Sequence, residues 1–167
     1  GSTYRQLGKF AEAKEIYTRA LSLSQETGDR MGEARALSNL GAIAFYQRQL
    51  AESHEYHMQA LQIWRTIGDR AGEGTSVLNL AKVKRDMGDY GQARIHFEEA
   101  LAIHQATFNR WEEVNIWNDL GILCQELGEL ATARDYLRKG LALAREIGDQ
   151  AGQAYVLVNL GLVLCDS

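Results

Sequence analysis

The sequence predicts an all-α chain of stacked, antiparallel helix pairs, and three observations carry this prediction. The first is a repeat of 40 residues that runs along the chain without insertion or deletion. The second is the absence of proline among the 167 residues, which removes the strongest helix breaker. The third is that apolar residues within each copy return at steps of three and four, which places them on one helix face.

The repeat appears in two blocks of small and apolar residues. One block is a leucine that follows a small residue, at Leu21, Leu61, Leu101 and Leu141. The other is an Asn-Leu-Gly tripeptide and its variants, at 39–41, 79–81, 119–121 and 159–161. Copies that keep one phase indicate a repeat protein, in which each helix pair gains its core by stacking on the next.

Each copy is predicted to contain two helices, and the second copy shows their limits. Its first helix is predicted over 30–47 and its second over 51–67. Asp29 is suited to cap the first helix, because its carboxylate can accept the free amide hydrogens of the first turn. Gly28 suits the left-handed residue that ends the preceding helix. The link between the two helices is expected to be more strained at Arg48, or to end differently, because other copies place glycine there. In the other copies a helix is predicted to stop at the glycine of this link, which is Gly8, Gly88 or Gly128.

The repeats divide the chain into units of one solenoid fragment that covers 1–167. The predicted units are 1–28, 29–68, 69–108 and 109–148, with a lone first helix at 149–167. Small residues such as Gly41 and Ala60 are expected to let helix backbones approach closely. On this division residues 1–7 are the end of a first helix, and no second helix covers the last one. We therefore expect a fragment of a longer protein, whose last helix frays or packs on another copy.

Charge and composition argue against several kinds of partner. The chain has 18 basic and 22 acidic residues and a formal charge of −4, which is too mild and too mixed to favour nucleic acid or a membrane surface. No apolar run approaches the ~18 residues of a membrane span. Cys124 and Cys165 lack motif spacing, so we expect reduced, buried thiols in a cytoplasmic protein.

Several motifs resemble those of the tetratricopeptide-repeat family. The family pattern of Trp, two residues and Leu-Gly is matched from Trp117 to Gly121, with Cys124 where tyrosine is common. The Ala-x-x-x-Phe element is matched from Ala93 to Phe97. The repeat is longer than the usual ~34 residues, and the proline that ends the second helix is missing. The resemblance covers essentially the whole chain and implies a right-handed solenoid whose first helices line a concave groove.

The long repeat, with its Gly-Asp-Arg and Asn-Leu-Gly motifs, is similar to two groups of this family. One group is the Pins/LGN scaffolds of cell polarity, and the other is the sensor array of MalT-type bacterial signalling ATPases. The leading hypothesis is a non-catalytic scaffold that holds a protein or peptide segment. The alternative is an inducer-sensing array of a STAND-type ATPase or transcription regulator, and a third is a structural spacer that self-associates through its ends. A closed pocket lined by Asn115, Trp117 and Tyr155 would favour the sensor.

The candidate binding residues form a stripe at steps of four, three and four along each first helix. The stripe comprises Arg35, Asn39, Tyr46, Asn79, Lys82, Asn115, Asp119, Tyr155 and Asn159. A carboxamide can pair with the backbone of an extended peptide, because it offers both a donor and an acceptor. Arg35 and Lys82 would attract acidic groups, and Tyr46 and Tyr155 would supply flat apolar contact. The other interpretation is that the asparagines bond the backbone of a neighbouring repeat.

No catalytic residue, metal site or cofactor is predicted. His54 and His57 lie one residue too close together for the zinc-protease motif. His57 also falls at the packing position held by Tyr17 and Phe97 in other copies, so we expect a packed histidine, and a surface position for His104. No nucleophile has a base at a meaningful spacing, which argues against an enzyme.

Overall fold

The computed structural model describes the backbone of residues 2–166 and the side chains of residues 9–166. This part of the chain contains eight α-helices and no strand, which confirms the all-α class. The helices are α1 (Ser2–Thr27), α2 (Arg30–Tyr46), α3 (Leu50–Ile67), α4 (Arg70–Asp86), α5 (Tyr90–Ala106), α6 (Arg110–Glu126), α7 (Leu130–Glu146) and α8 (Gln150–Cys165).

The helices return with the period of the sequence. The first helices α2, α4, α6 and α8 begin at residues 30, 70, 110 and 150. The second helices α3, α5 and α7 begin at residues 50, 90 and 130. The helix limits predicted for the second copy are therefore correct to one residue at each end. That the whole chain is one continuous array of such units stays a prediction.

A side chain caps the N-terminus of each first helix, as predicted for Asp29. Asp29, Asp69 and Asp149 each accept the amide hydrogen three residues further on, at 2.9, 3.0 and 2.8 Å. Asn109 does the same at 3.4 Å. These bonds satisfy amides that have no partner inside the helix. Gly28, with φ of 71°, ends the helix before the first cap in the predicted left-handed conformation.

Two links place a bulky residue where other copies place glycine. Arg48 has φ of 62° and Phe108 has φ of 56°. This left-handed region costs a residue with a side chain ~1–2 kcal/mol. The strain expected at Arg48 is confirmed, and Phe108 shows the same strain at the repeat position of Gly28 and Gly68.

The helix stop predicted at Gly8 is wrong. Helix α1 runs unbroken from Ser2 to Thr27, so residues 2–7 are not the end of a separate helix. Gly88 and Gly128, by contrast, follow helix ends with φ of 81° and 76°. One glycine inside a helix costs only about 1 kcal/mol relative to alanine, which an unbroken ladder of backbone hydrogen bonds can offset.

The chain forms two compact units, residues 1–87 and 88–167. In the first unit α2 packs on α1, α3 and α4, and α3 packs on α4. A core cluster of this unit comprises Ala34, Leu37, Ala60, Ile63 and Trp64. In the second unit α6 packs on α5, α7 and α8, and α7 packs on α8. A core cluster of that unit includes Val114, Cys124, Leu137, Leu141, Val156 and Val163.

The recurrent glycine of the first helices makes room for a side chain of the second helix. A Cβ atom at Gly41 would lie 2.7 Å from the ring of His57, and one at Gly121 would lie 2.6 Å from Cγ of Leu137. Ser53 uses the same approach, because its Oγ donates to the carbonyl of Gly41 at 2.8 Å. At these glycines the side chain of the second helix therefore packs directly against the backbone of the first helix.

Helix α8 buries little of its apolar surface. Val156 and Val163 are buried, whereas Leu157 is 47% exposed and Leu164 is 54% exposed. Cys165 is exposed on this helix while Cys124 is buried, and both thiols are free. The expectation of two buried thiols is therefore wrong for Cys165, because no described element covers that end of α8. Among the described residues, no helix combines the length and the hydropathy that crossing a bilayer requires.

Candidate functional site

The predicted stripe lies on the four first helices, and none of its nine residues is buried. Helices α2 and α4 touch in the first unit, and α6 and α8 touch in the second. The structure therefore brings together two groups of stripe residues, one in each unit. The first group is Arg35, Asn39, Tyr46, Asn79 and Lys82. The second is Asn115, Asp119, Tyr155 and Asn159.

The asparagines of the stripe have different hydrogen-bond partners. Asn39 donates to the carbonyl of Arg35 in its own helix at 2.9 Å. Asn159 donates to Oδ1 of Asn118 on the neighbouring first helix at 2.7 Å. Asn79, at the same repeat position, makes no side-chain hydrogen bond within the described residues. The carboxamide at this repeat position is therefore already hydrogen-bonded in α2 and in α8, whereas the carboxamide of α4 is available.

Asn79 lines a cavity of about 110 Å³ in the first unit. Its walls come from three helices, α2, α3 and α4. The lining residues are Ala42, Phe45, Tyr46, His57, Asn79 and Lys82. The cavity therefore combines an apolar wall with an imidazole, a carboxamide and an ammonium group.

His57 is the buried polar residue of this cavity. Its side chain is 1% exposed, and its Nδ1 has no hydrogen-bond partner. Burial, together with the nearby His54, lowers the pKa of His57 to about 4, so the imidazole is neutral at pH 7. The packed position expected for His57 is confirmed. Its place in the cavity was not predicted, although a histidine at a position of rings and leucine was the available signal.

Aromatic and charged contacts organise the α2 end of the cavity. Tyr46 is 70% exposed and stacks on Phe10 of α1, with ring centroids 6.0 Å apart. Beyond it, Arg48 bonds Asp86 of α4 at 2.5 Å. These contacts join α1, α2 and α4 beside the cavity. They hold Tyr46 where its ring can contact a molecule bound there.

The second unit fills the equivalent positions with its own side chains. Leu137 takes the place of His57 and is fully buried against Gly121. Gln125 donates to Asp166 at 2.6 Å, and Asn159 is held by Asn118. Of the residues equivalent to the polar lining of the first unit's cavity, two are leucines, Leu137 and Leu162, and Asn159 is bonded to Asn118.

The structure shows the contacts of Trp117 and corrects the expectation for His104. Trp117 faces α7, where it stacks on Tyr136 at 5.5 Å with Nζ of Lys139 4.9 Å from its ring centre. His104 is fully buried rather than on the surface, and neither ring nitrogen has a partner. Its repeat position is the one that Trp64 fills, 5% exposed, in α3.

The described residues hold no group of three His, Cys, Asp or Glu side chains arranged to bind a metal ion. Larger open grooves lie on α3, where Met58 and Gln62 line a space of about 600 Å³, and on α1. Each of these grooves is lined by residues of a single helix. The cavity that gathers side chains from several helices is therefore the stronger candidate site.

Known proteins share this architecture. A family model described as tetratricopeptide repeat matches residues 1–66, 32–106 and 72–146. BtubC (BKLC) from P. vanneervenii superposes with a TM-score of 0.86 and 22% identity, over 95% of this chain and 66% of that one. No curated protein matches the chain.

Two other solved structures superpose equally widely. A STAND protein from Pyrococcus horikoshii, with a tetratricopeptide-repeat sensor, gives a TM-score of 0.82 at 18% identity, over 97% of this chain and 25% of that one. A Rap protein complexed with Competence and Sporulation Factor gives a TM-score of 0.82 at 18% identity, over 99% of this chain and 46% of that one. The chain spans less than two thirds of each of these proteins, and likeness at such identity shows the fold.

Proposed function

This chain belongs to the tetratricopeptide-repeat family, and from that premise we propose that it is a non-catalytic module that binds an extended peptide segment of a partner. The segment lies along the first helices of the first unit, across α2 and α4. The observation that carries the proposal is the cavity between these helices, edged by the exposed ring of Tyr46 and the available carboxamide of Asn79.

The size of the cavity favours a peptide over a small inducer. Pockets that enclose a small molecule usually measure ~300–1,000 Å³. The cavity here measures about 110 Å³, which suits one side chain of a longer ligand. The sensor alternative is supported by the STAND protein with a tetratricopeptide-repeat sensor. Trp117, one of the three residues of the pocket that would have favoured that alternative, stacks on Tyr136 of α7.

A peptide would gain its affinity from the surfaces around the cavity. Asn79 can pair with a peptide backbone, and Tyr46 supplies apolar area at its rim. Arg35 and Lys82 add positive charge on the same face, which favours segments with acidic residues. The free thiols fit a reducing compartment, so the proposal extends to a cytoplasmic location.

Selection from a phage-displayed library of linear peptides tests the proposal. The selected peptide is labelled, and its dissociation constant is measured by fluorescence anisotropy for the wild type and for Asn79→Ala and Tyr46→Ala. We expect each substitution to weaken binding at least about fivefold, as for loss of one hydrogen bond or one aromatic contact, with an unchanged melting temperature.

Gln62→Ala on the outer face of α3 is the matched control, and we expect it to leave binding unchanged. The proposal fails if no peptide is enriched. It also fails if selected peptides bind both stripe variants as tightly as the wild type. Lower melting without weaker binding would assign these residues a structural role instead.

A further inference from the structure

The cavity of the first unit offers hydrogen-bonding groups that the protein itself leaves unused. Nδ1 of His57 is buried without a partner, and Asn79 has no side-chain bond within the described residues. Buried polar atoms are rarely left unpaired in folded proteins. His57 and Asn79 both line the cavity, so a ligand group that enters it can meet the imidazole and the carboxamide.

We propose that this cavity selects a carboxamide side chain, that of asparagine, from the bound segment. The proposal rests on the peptide-binding function in that the cavity lies on the path of the segment. It goes further by naming the side chain that the first unit recognises.

The volume of the cavity matches this group. The cavity measures about 110 Å³, which is small beside the ~300–1,000 Å³ of a pocket for a whole small molecule and has room for a side chain of a few heavy atoms. The asparagine side chain has one methylene carbon and the three heavy atoms of its carboxamide.

The chemistry of the walls also matches a neutral donor and acceptor. A neutral imidazole has one donor nitrogen and one acceptor nitrogen, and Asn79 offers both kinds of group. A carboxamide has two donors and an acceptor, so it can pair with either partner. An aliphatic side chain would leave the polar atoms of His57 and Asn79 unsatisfied.

A carboxylate is the competing ligand, because Lys82 contributes a cation to the same wall. A carboxylate is an acceptor only and loses more hydration on burial. His57 is neutral in this environment, with a pKa of about 4, so a buried anion would gain a charged partner there only by drawing a proton onto the ring. Asparagine and aspartate have nearly the same shape, so a direct comparison separates the two chemistries.

The second unit supplies independent support, because it contains the proposed contact within its own chain. Asn159, at the repeat position of Asn79, donates to the carboxamide of Asn118 at 2.7 Å. The residue at the position of Asn118 in the first unit is Ser38, whose Oγ donates to the carbonyl of Ala34 at 2.9 Å. The first unit therefore lacks the internal carboxamide, and a ligand carboxamide would take its place.

The experiment compares three small probes: the N-acetyl N-methylamides of asparagine, aspartate and alanine. Each is titrated at pH 7 into isotope-labelled protein, and NMR shifts are followed for the side-chain amide of Asn79 and the ring nitrogens of His57. We expect the asparagine probe to bind at least about fivefold more tightly than the alanine probe, and more tightly than the aspartate probe.

Two variants make the test specific to the cavity. His57→Leu copies the packing of Leu137 against Gly121, so we expect a folded protein that has lost the preference for asparagine. Ser38→Asn restores the internal carboxamide found at Asn118, and we expect it to compete with the probe and weaken its binding. His104→Leu, at a buried histidine of the other unit, should leave the preference intact.

Three results would overturn the inference. They are equal binding of the three probes, a preference for aspartate, and an asparagine preference that survives in His57→Leu. If library peptides bind the stripe and the probes show no preference, the inference fails and the peptide-binding function stands. If the asparagine probe binds the cavity and no peptide is enriched, the peptide-binding function fails.

Discussion

At the residue scale, the two units differ in the side chain that packs on the glycine of the first helix. The first unit places His57 on Gly41, and the second places Leu137 on Gly121. Leucine fills this position without any polar atom to satisfy. Histidine leaves a buried Nδ1 without a partner, which costs stability unless a ligand or water pairs with it. The histidine whose unpaired nitrogen costs stability is therefore also a residue that lines the cavity.

The acid sensitivity of the fold should depend on His57. Its pKa is about 4 in the folded chain, against 6.5 for an unperturbed histidine, so between these values the unfolded chain binds the proton more readily. The stability associated with the neutral ring is complete above pH 6.5 and is lost as the pH falls towards 4. We expect this loss to reach about 3 kcal/mol, from about two and a half pKa units.

Urea unfolding at pH 7 and pH 4.5 measures this effect in the wild type and in His57→Leu. We expect the substitution to keep or raise the free energy of unfolding at pH 7 and to reduce the loss on acidification. Carboxylates contribute to acid unfolding in both proteins, so the comparison isolates the histidine. An equal loss in the two proteins would show that His57 does not titrate with a lowered pKa.

At the element scale, the same repeat position is packed in one helix and open in another. A Cβ atom at Gly121 of α6 would lie 2.6 Å from Leu137, which is fully buried and cannot move aside. A Cβ atom at Gly161 of α8 would meet no atom within 4 Å. Both glycines follow a leucine at the same repeat position, so the difference arises from the helix that covers α6.

Alanine substitutions at these two glycines should have opposite effects. Gly121→Ala overpacks the contact with Leu137, and we expect it to lower the free energy of unfolding by ~1–3 kcal/mol. Gly161→Ala adds a better helix former in open space, and we expect no loss and a gain of up to about 1 kcal/mol. Thermal and urea unfolding measure both. Equal destabilisation by the two substitutions would contradict the packing described for α6 and α7.

At the scale of the whole molecule, periodic features could be predicted from the sequence and individual contacts could not. The helix limits, the Asp29 cap and the strained Arg48 link follow from local rules that act on neighbouring residues. The unbroken α1 at Gly8 does not, because a single glycine only shifts a small energy balance. The sequence of α5 alone predicts a surface position for His104, and its burial depends on residues outside that helix.

The candidate site shows the same division. The repeat predicted which face of the first helices is accessible, and the nine stripe residues are indeed unburied. It could not predict that Asn159 bonds Asn118 while Asn79 remains available, since that depends on one residue of the adjacent helix. The cavity is lined by His57, at a position where the other copies carry tyrosine, phenylalanine or leucine. This single departure from the repeat does not by itself reveal a cavity, because three helices must pack together to form one.

The local stability of a first helix should be higher where other helices cover more of its apolar face. Helix α6 is packed on α5, α7 and α8, whereas α8 exposes Leu157, Leu162 and Leu164. Opening α8 therefore breaks fewer apolar contacts than opening α6.

In hydrogen-exchange mass spectrometry at low protein concentration, we expect residues 157–164 to exchange before their equivalents at 117–124. If copies associate through this exposed face, raising the concentration should slow exchange in 157–164 and leave 117–124 unchanged. Equal protection of the two segments in a strict monomer would contradict both expectations, because the apolar face of α8 would then be stable without a cover.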